Sequence, residues 1–207
     1  SVVCDGQLFR GTEVEFWVNN DGKTGGIDSE FGKDAWNYSK THYIIRKFMD
    51  ENLTKSWSDK GKQPWVYCRL AEIYLNYAEA LNEYYETPPK EAFDAVLKVR
   101  ERSGMPGFPS TLNKEQFREK LRRERAVELA YEDHRFWDIR RWLIADDEGV
   151  MKGAMYGLQL SAVTGAPGKV HYKPYVFENR LWSDRSYLHP IKQTEIDKGY
   201  MLQNPGW

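Results

Sequence analysis

The strongest constraint on the fold is a run of capped helical patterns between Pro64 and Asp146. In "WVYCRLAEIYLNYAEALNEYYE" the apolar residues Leu70, Ile73, Tyr74, Tyr77, Ala78 and Leu81 recur at helical spacing. Pro64 is suited to start this helix, and Cys68 falls inside the pattern as a buried thiol. "ETPP" separates it from a second helix, with Thr87 as cap and Pro88 at the first helical position. That helix carries Ala92, Phe93, Val96, Leu97 and Val99 on one face and stops at Gly104. Asn113 and Gln116 form a capping box that opens a third helix through Phe117, Leu121, Ala126, Leu129 and Ala130. A fourth, short helix is expected from His134 to Leu143.

Paired helices in series suggest tetratricopeptide-like units. Tyr67, Leu70, Ala71 and Tyr74 fit the first helix of such a repeat, and Ala92, Val96 and Val99 loosely fit the second. The flanks differ. Residues 1–63 are rich in loops and aromatics: "NNDGKTGGIDSEFGKD" reads as turns, "TEVEFWV" and "THYIIRKF" as short strands, and "SWSDKGKQPW" as a polar loop. Residues 147–207 are irregular, punctuated by Gly153, Gly157, Gly165 and Gly168. "VHYKPYVFE" and "SYLHPI" read as short extended pieces, "TEIDKGY" as one helical turn and "LQNPGW" as a tail with turn chemistry. The expected fold is therefore mainly α: a tetratricopeptide-like helical scaffold over residues 64–146, with long irregular loops and a few short strands.

Several function classes are excluded. Thirty Lys and Arg against 31 Asp and Glu leave no basic footprint for nucleic acid or an anionic membrane surface. No run approaches the roughly 18 apolar residues of a membrane span. Cys4 and Cys68 are too few for a disulfide framework and lack metal-ligand spacing. Cys4 follows Ser-Val-Val with no basic or apolar leader, which speaks against lipidation at this cysteine. There is no G-x-S-x-G or H-E-x-x-H stretch, and His42, His134, His171 and His189 are far apart. No cofactor is expected, although Asn19, Asn20 and Asp21 could supply oxygens to a Ca²⁺ ion.

Aromatic residues make up 14% of the chain, many of them outside the helical patterns, where flat faces with polar tips suit sugar rings. Trp17, Trp36 and Tyr38 lie in the loop-rich first zone. In an extended segment Trp36 and Tyr38 would point the same way and form one stacking platform, with Asn37 or Asp34 bonding to hydroxyls. The competing reading packs Trp36 beneath the loop as core.

"ELAYEDHRFWDIRRW", Glu128 to Trp142, also has two readings. Helical spacing brings together Arg125 and Glu128, Glu128 and Glu132, Arg135 and Asp138, and Asp138 and Arg141. Asp133 tolerates the left-handed conformation of a helix stop, and Phe136, Ile139 and Trp142 would face inward. That makes a helix corner fixed by ion pairs. The alternative, a metal or acid–base site from Asp133, His134 and Asp138, ranks behind it, because charge clusters on paired helices are usually structural.

"RLAEIYLNYAEALNEY", "VRERSGMPGF", "RRERAVELAYEDHRFWDIRRW" and "YLHPIKQTEIDKGYMLQNPGW" occur in the order seen in the C-terminal half of the SusD/RagB family, which the chain resembles from about Thr41 to Trp207. Asp133 stands where that family usually has Gly, and Lys192 where Pro is often repeated. The resemblance implies that the three zones are parts of one larger SusD-like domain, in a full-length protein about twice as long. It implies a non-catalytic, lipid-anchored protein of the outer-membrane surface, in which the anchor lies outside this chain. Such a protein binds glycans, or sometimes peptides, and delivers them to a TonB-dependent SusC-like transporter. It supplies no binding residue by motif. A glycan-degrading enzyme and a tetratricopeptide-type protein-interaction module are the alternatives.

Overall fold

A computed structural model describes residues 2–33, 35–53, 60–166 and 169–207. The fold is mainly α, with a tetratricopeptide-like helical scaffold, long irregular loops and little strand. Two compact units are present: residues 64–138, and residues 1–63 with 139–207.

The helical unit contains α1 (Leu70–Tyr84), α2 (Lys90–Glu101), α3 (Lys114–Glu128) and the start of α4 (His134–Arg141). Its core joins Leu75 and Ala78 of α1, Ala92, Ala95, Val96 and Val99 of α2, and Phe117 and Leu121 of α3. The stripe predicted for α1 splits in two. Tyr74, Ala78 and Leu81 turn toward the core, whereas Leu70, Ile73 and Tyr77 are exposed. Leu75 supplies a central core contact that the stripe omitted. Asn82 is buried, and its amide donates to the Lys114 carbonyl at 3.3 Å, tying the end of α1 to the start of α3.

The helix ends follow local chemistry to different degrees. Asn113 and Gln116 form the predicted capping box. Gly104 adopts φ +67 beyond α2, where its amide donates to the Glu101 carbonyl at 2.9 Å. Two predicted starts are corrected. α1 begins at Leu70 rather than near Pro64, which leaves Cys68 exposed outside the helix. The Arg69 backbone is extended, and its guanidinium reaches Glu128 and Glu132 instead of continuing a helical turn. α2 begins at Lys90 with Pro89 as its cap, two residues later than the Pro88 start expected.

In the other unit, β1 (Val2–Val3) pairs antiparallel with β4 (Ile44–Ile45), and β2 (Leu8–Phe9) with β3 (Thr12–Glu13). A longer hairpin joins β5 (Gly153–Ala162) to β6 (Val170–Arg180), with a register shift between Met155 and Tyr156. The β5 arm was not legible, because Gly153 and Gly157 read as punctuation. Gly157 is needed there: a Cβ would lie 3.0 Å from the Lys40 carbonyl oxygen and 3.1 Å from the Tyr175 ring. Val3, Val14, Phe16 and Leu160 form the core, with Trp17 and Leu158 packed against it. A single helical turn, α5 (Gln193–Ile196), precedes the tail. The Trp207 indole N–H donates to the carbonyls of Arg185 (2.9 Å) and Leu188 (3.1 Å), and the Arg185 guanidinium lies 4.6 Å from its ring.

Candidate functional site

A cavity of about 620 Å³ opens beside the segment from Glu13 to Asp21. The strand expected over Thr12 to Val18 is reduced to β3 at Thr12–Glu13, but burial still alternates beyond it: Val14, Phe16 and Val18 are buried, and Glu13, Glu15 and Trp17 line the cavity together with Val14. Asp5 fixes the segment by accepting from the Phe16 amide at 2.6 Å. On the opposite edge, Val18 donates to the Leu160 carbonyl at 2.9 Å and Ala162 to the Val18 carbonyl at 3.0 Å, which brings up the hairpin end. Val163, Thr164, Ala166 and Lys169 from that end form the second wall.

Two glycines hold the strand in place. The Gly26 amide donates to the Trp17 carbonyl at 2.8 Å, and a Cβ on Gly26 would lie 2.5 Å from both Glu15 Cβ and the Glu15 carbonyl oxygen. A Cβ on Gly25 would lie 2.7 Å from the Trp17 carbonyl oxygen. No larger residue permits this approach without displacing the cavity wall.

The loop from Asn19 to Thr24 closes one end. Asp21 accepts from the amides of Lys23 (2.9 Å) and Thr24 (3.2 Å) and from the Thr24 hydroxyl. These bonds, led by that of the Lys23 amide, hold the Asp21 carboxyl below the usual carboxylate range. The Asn19 amide donates to Thr24 Oγ1 at 2.8 Å, and the Asn20 amide crosses to Thr164 Oγ1 at 2.9 Å. The oxygens considered for Ca²⁺ thus include a carboxylate already engaged in a turn. Among the described residues, no group of three or more His, Cys, Asp or Glu is arranged to hold a metal ion. Burial raises the Asp5 carboxyl, a shift partly offset by the Phe16 and Trp17 amides.

The predicted aromatic residues separate. Trp17 lines the cavity. Ala35–Asn37 form a 3-10 turn, so Trp36 and Tyr38 do not share the extended geometry that would align them. Trp36 is 81% exposed and is not core, Tyr38 is half-buried, and Asp34 lies outside the described residues. The hairpin adds two aromatics that were not singled out, Tyr156 and Tyr172, both exposed.

The helix corner is assembled from charges distant in sequence. Arg125, 3% exposed, donates from Nε and Nη2 to the Asp138 carboxylate at 3.1 and 3.2 Å, and from Nη1 to Asn76 Oδ1 at 2.6 Å. The Arg69 guanidinium bonds Glu128 at 2.6 Å and Glu132 at 2.7 and 2.8 Å, and Arg102 also reaches Glu128. The predicted pairing of Arg125 with Glu128 is thus replaced by pairing between elements. Asp133 has φ +61, as a helix stop allows, and Tyr131 has φ +63. Ile139 is buried, Trp142 is half-buried beneath the Arg141 guanidinium (4.7 Å), and Phe136 is 38% exposed with its ring edge-on to Trp137. Phe136 is therefore corrected from an inward anchor. Arg135 is exposed.

The SusD family description matches residues 3–207, essentially the whole chain. The chain belongs to the SusD family. It is 26% identical over 174 residues to the SusD-like protein P2 of Formosa agariphila, a match covering 80% of this chain and 30% of that protein. It resembles the crystal structure of a SusD-like protein from Bacteroides fragilis at TM-score 0.65 and 32% identity, over 81% of this chain and 31% of that one. A SusD homolog from Bacteroides thetaiotaomicron matches at TM-score 0.55 and 30% identity, over 80% and 32%. The matched part of the chain covers 30%, 31% and 32% of these relatives, so the chain spans well under two thirds of their length.

Proposed function

We propose that this SusD-family protein is a non-catalytic glycan-binding protein of the cell surface, and that it delivers its ligand to a SusC-like TonB-dependent transporter. SusD-like proteins are associated with the outer membrane and cell surface of Bacteroidetes. Lipid anchoring, the transporter as partner, and the joining of both units in one larger domain belong to the same proposal. The observation that carries it is the cavity wall formed by Trp17, with the amide of Asn20 and the hydroxyl of Thr164 at one end. An indole face beside hydrogen-bonding groups suits the apolar face and hydroxyl rim of a sugar ring. The non-catalytic reading is supported by what two of the four cavity carboxylates already do. Asp5 and Asp21 accept from backbone amides and hold the site's own walls. Trp36, with its exposed ring, is proposed as a secondary stacking surface together with its sequence neighbour Tyr38, and the Asn37 side chain lies outside what the structure describes.

Affinity electrophoresis against a panel of neutral polysaccharides tests the reading. Trp17→Ala should reduce retardation at least tenfold. Because Trp17 also packs on the core, Asn20→Ala is run beside it, and a three- to tenfold loss is expected there. Full retardation of both variants, with loss in Trp36→Ala instead, would move the site away from the cavity. Release of reducing sugar by the protein would overturn the non-catalytic reading.

A further inference from the structure

We propose that the cavity sorts glycans by charge, taking saccharides with free amino groups in preference to neutral ones and rejecting those bearing carboxylate or sulfate. This inference rests on the glycan-binding reading of the same cavity.

Four carboxylates line the cavity, those of Asp5, Glu13, Glu15 and Asp21, and the only cation among the described lining residues is Lys169. The carboxylates differ in availability. Asp5 and Asp21 accept from backbone amides, and Glu15 accepts from the Ile27 amide at 3.3 Å. Glu13 has no side-chain hydrogen bond or ion pair to a described residue, and it lines the same cavity as Trp17. A ring stacked on Trp17 therefore meets a carboxylate still able to accept from an ammonium group. Charge-assisted bonds of that kind are about twice as strong as neutral ones. An excess of one sign in a walled cleft also focuses the field and repels ligands of that sign. Lys169 lies on the hairpin wall, across from the strand, where it offsets only part of the acidic charge.

Calorimetric titration of three oligosaccharides with one backbone tests this: a chitosan oligomer, its fully N-acetylated counterpart, and a glucan of the same linkage oxidised to uronic acid. A β-1,4 series is the first choice, followed by matched series in other linkages. The amine form should bind roughly tenfold tighter than the acetylated form at low salt, with the preference shrinking in 0.5 M NaCl, and the uronate form should bind at least tenfold more weakly. Glu13→Gln should bring the amine-to-acetyl ratio toward one, and because Glu13 is exposed its melting temperature serves as a check on folding. Uronate binding equal to or tighter than neutral binding would overturn the inference, as would an unchanged ratio in Glu13→Gln. Binding of all three with equal affinity overturns the charge preference alone. Failure of every saccharide to bind, whatever its charge, overturns the glycan-binding reading and this inference with it.

Discussion

Replacing Arg125 with Leu should be among the most damaging single substitutions in the helical unit. The guanidinium is almost fully buried, pairs with both oxygens of Asp138 at 3.1 and 3.2 Å, and donates to Asn76 at 2.6 Å. Asp138 is itself only 4% exposed. Truncating the cation takes from a buried carboxylate the guanidinium that meets both of its oxygens, and breaking such a buried pair costs about 3–5 kcal/mol. For a chain of this length each kcal/mol lowers Tm by roughly 2–4 °C, so a fall of roughly 6–20 °C is expected in calorimetry or circular dichroism. Much of the loss comes from leaving a buried carboxylate without the guanidinium rather than from the worth of the pair itself. Adding Asp138→Leu to the variant should therefore recover part of it, because buried ion pairs are often replaceable by apolar residues. A Tm for Arg125→Leu within 2 °C of the parent would refute the argument. So would a double variant no more stable than the single one, because the penalty would then not lie in the Asp138 carboxylate.

Two further outcomes follow from the loop-rich unit. His42 is buried between Phe16 and Tyr175, and burial holds its pKa below the usual 6.5. The unfolded chain therefore takes up the proton first, so stability is full above about pH 6.5 and falls as the pH drops below it. His42→Asn, which tolerates the φ of +57 there, should flatten the dependence of Tm on pH between pH 7.5 and 5.5; an unchanged slope would assign it to other groups. Gly26→Ala should destabilise by about 1–3 kcal/mol and weaken ligand binding more than Gly61→Ala, where a Cβ would meet only the Leu53 side chain at 3.4 Å. Equal binding by the two variants would show that the Gly26 approach does not set the cavity wall.

The parts legible in the sequence are those decided by neighbours along the chain. Asn113 and Gln116 lie three residues apart and cap α3 by themselves, so the start of that helix was visible. The start of α1 was not, although Pro64 is a good local signal. Arg69 stays extended to reach Glu128 and Glu132, about 60 residues away, and no window of sequence contains that bond. The corner shows the same limit. Spacing of three and four residues reports which charges are adjacent on one helix, and it paired Arg125 with Glu128. Arg125 instead meets Asp138, the more deeply buried carboxylate, on the next helix, while Glu128 is held by Arg69 and Arg102.

The candidate site divides along the same line, and the division bears on how its specificity can be altered. The alternation of Glu13, Val14, Glu15, Phe16 and Trp17 is a local pattern, and it alone decides that an indole and two carboxylates share a face. That this face borders a cavity, rather than open solvent, depends on the hairpin end. The Asn20–Thr164 bond joins residues 144 apart, and Val18 meets Leu160 and Ala162 across a similar distance. Lining chemistry and enclosure are thus encoded in separate stretches. Substitutions at Glu13 should change which ligands are preferred while the cavity keeps its shape. Substitutions in the hairpin end from Val163 to Ala166 should change how much of a ligand is enclosed, and hence affinity for all ligands alike. A hairpin variant that reversed the charge preference without altering overall affinity would show that the two walls do not divide the work in this way.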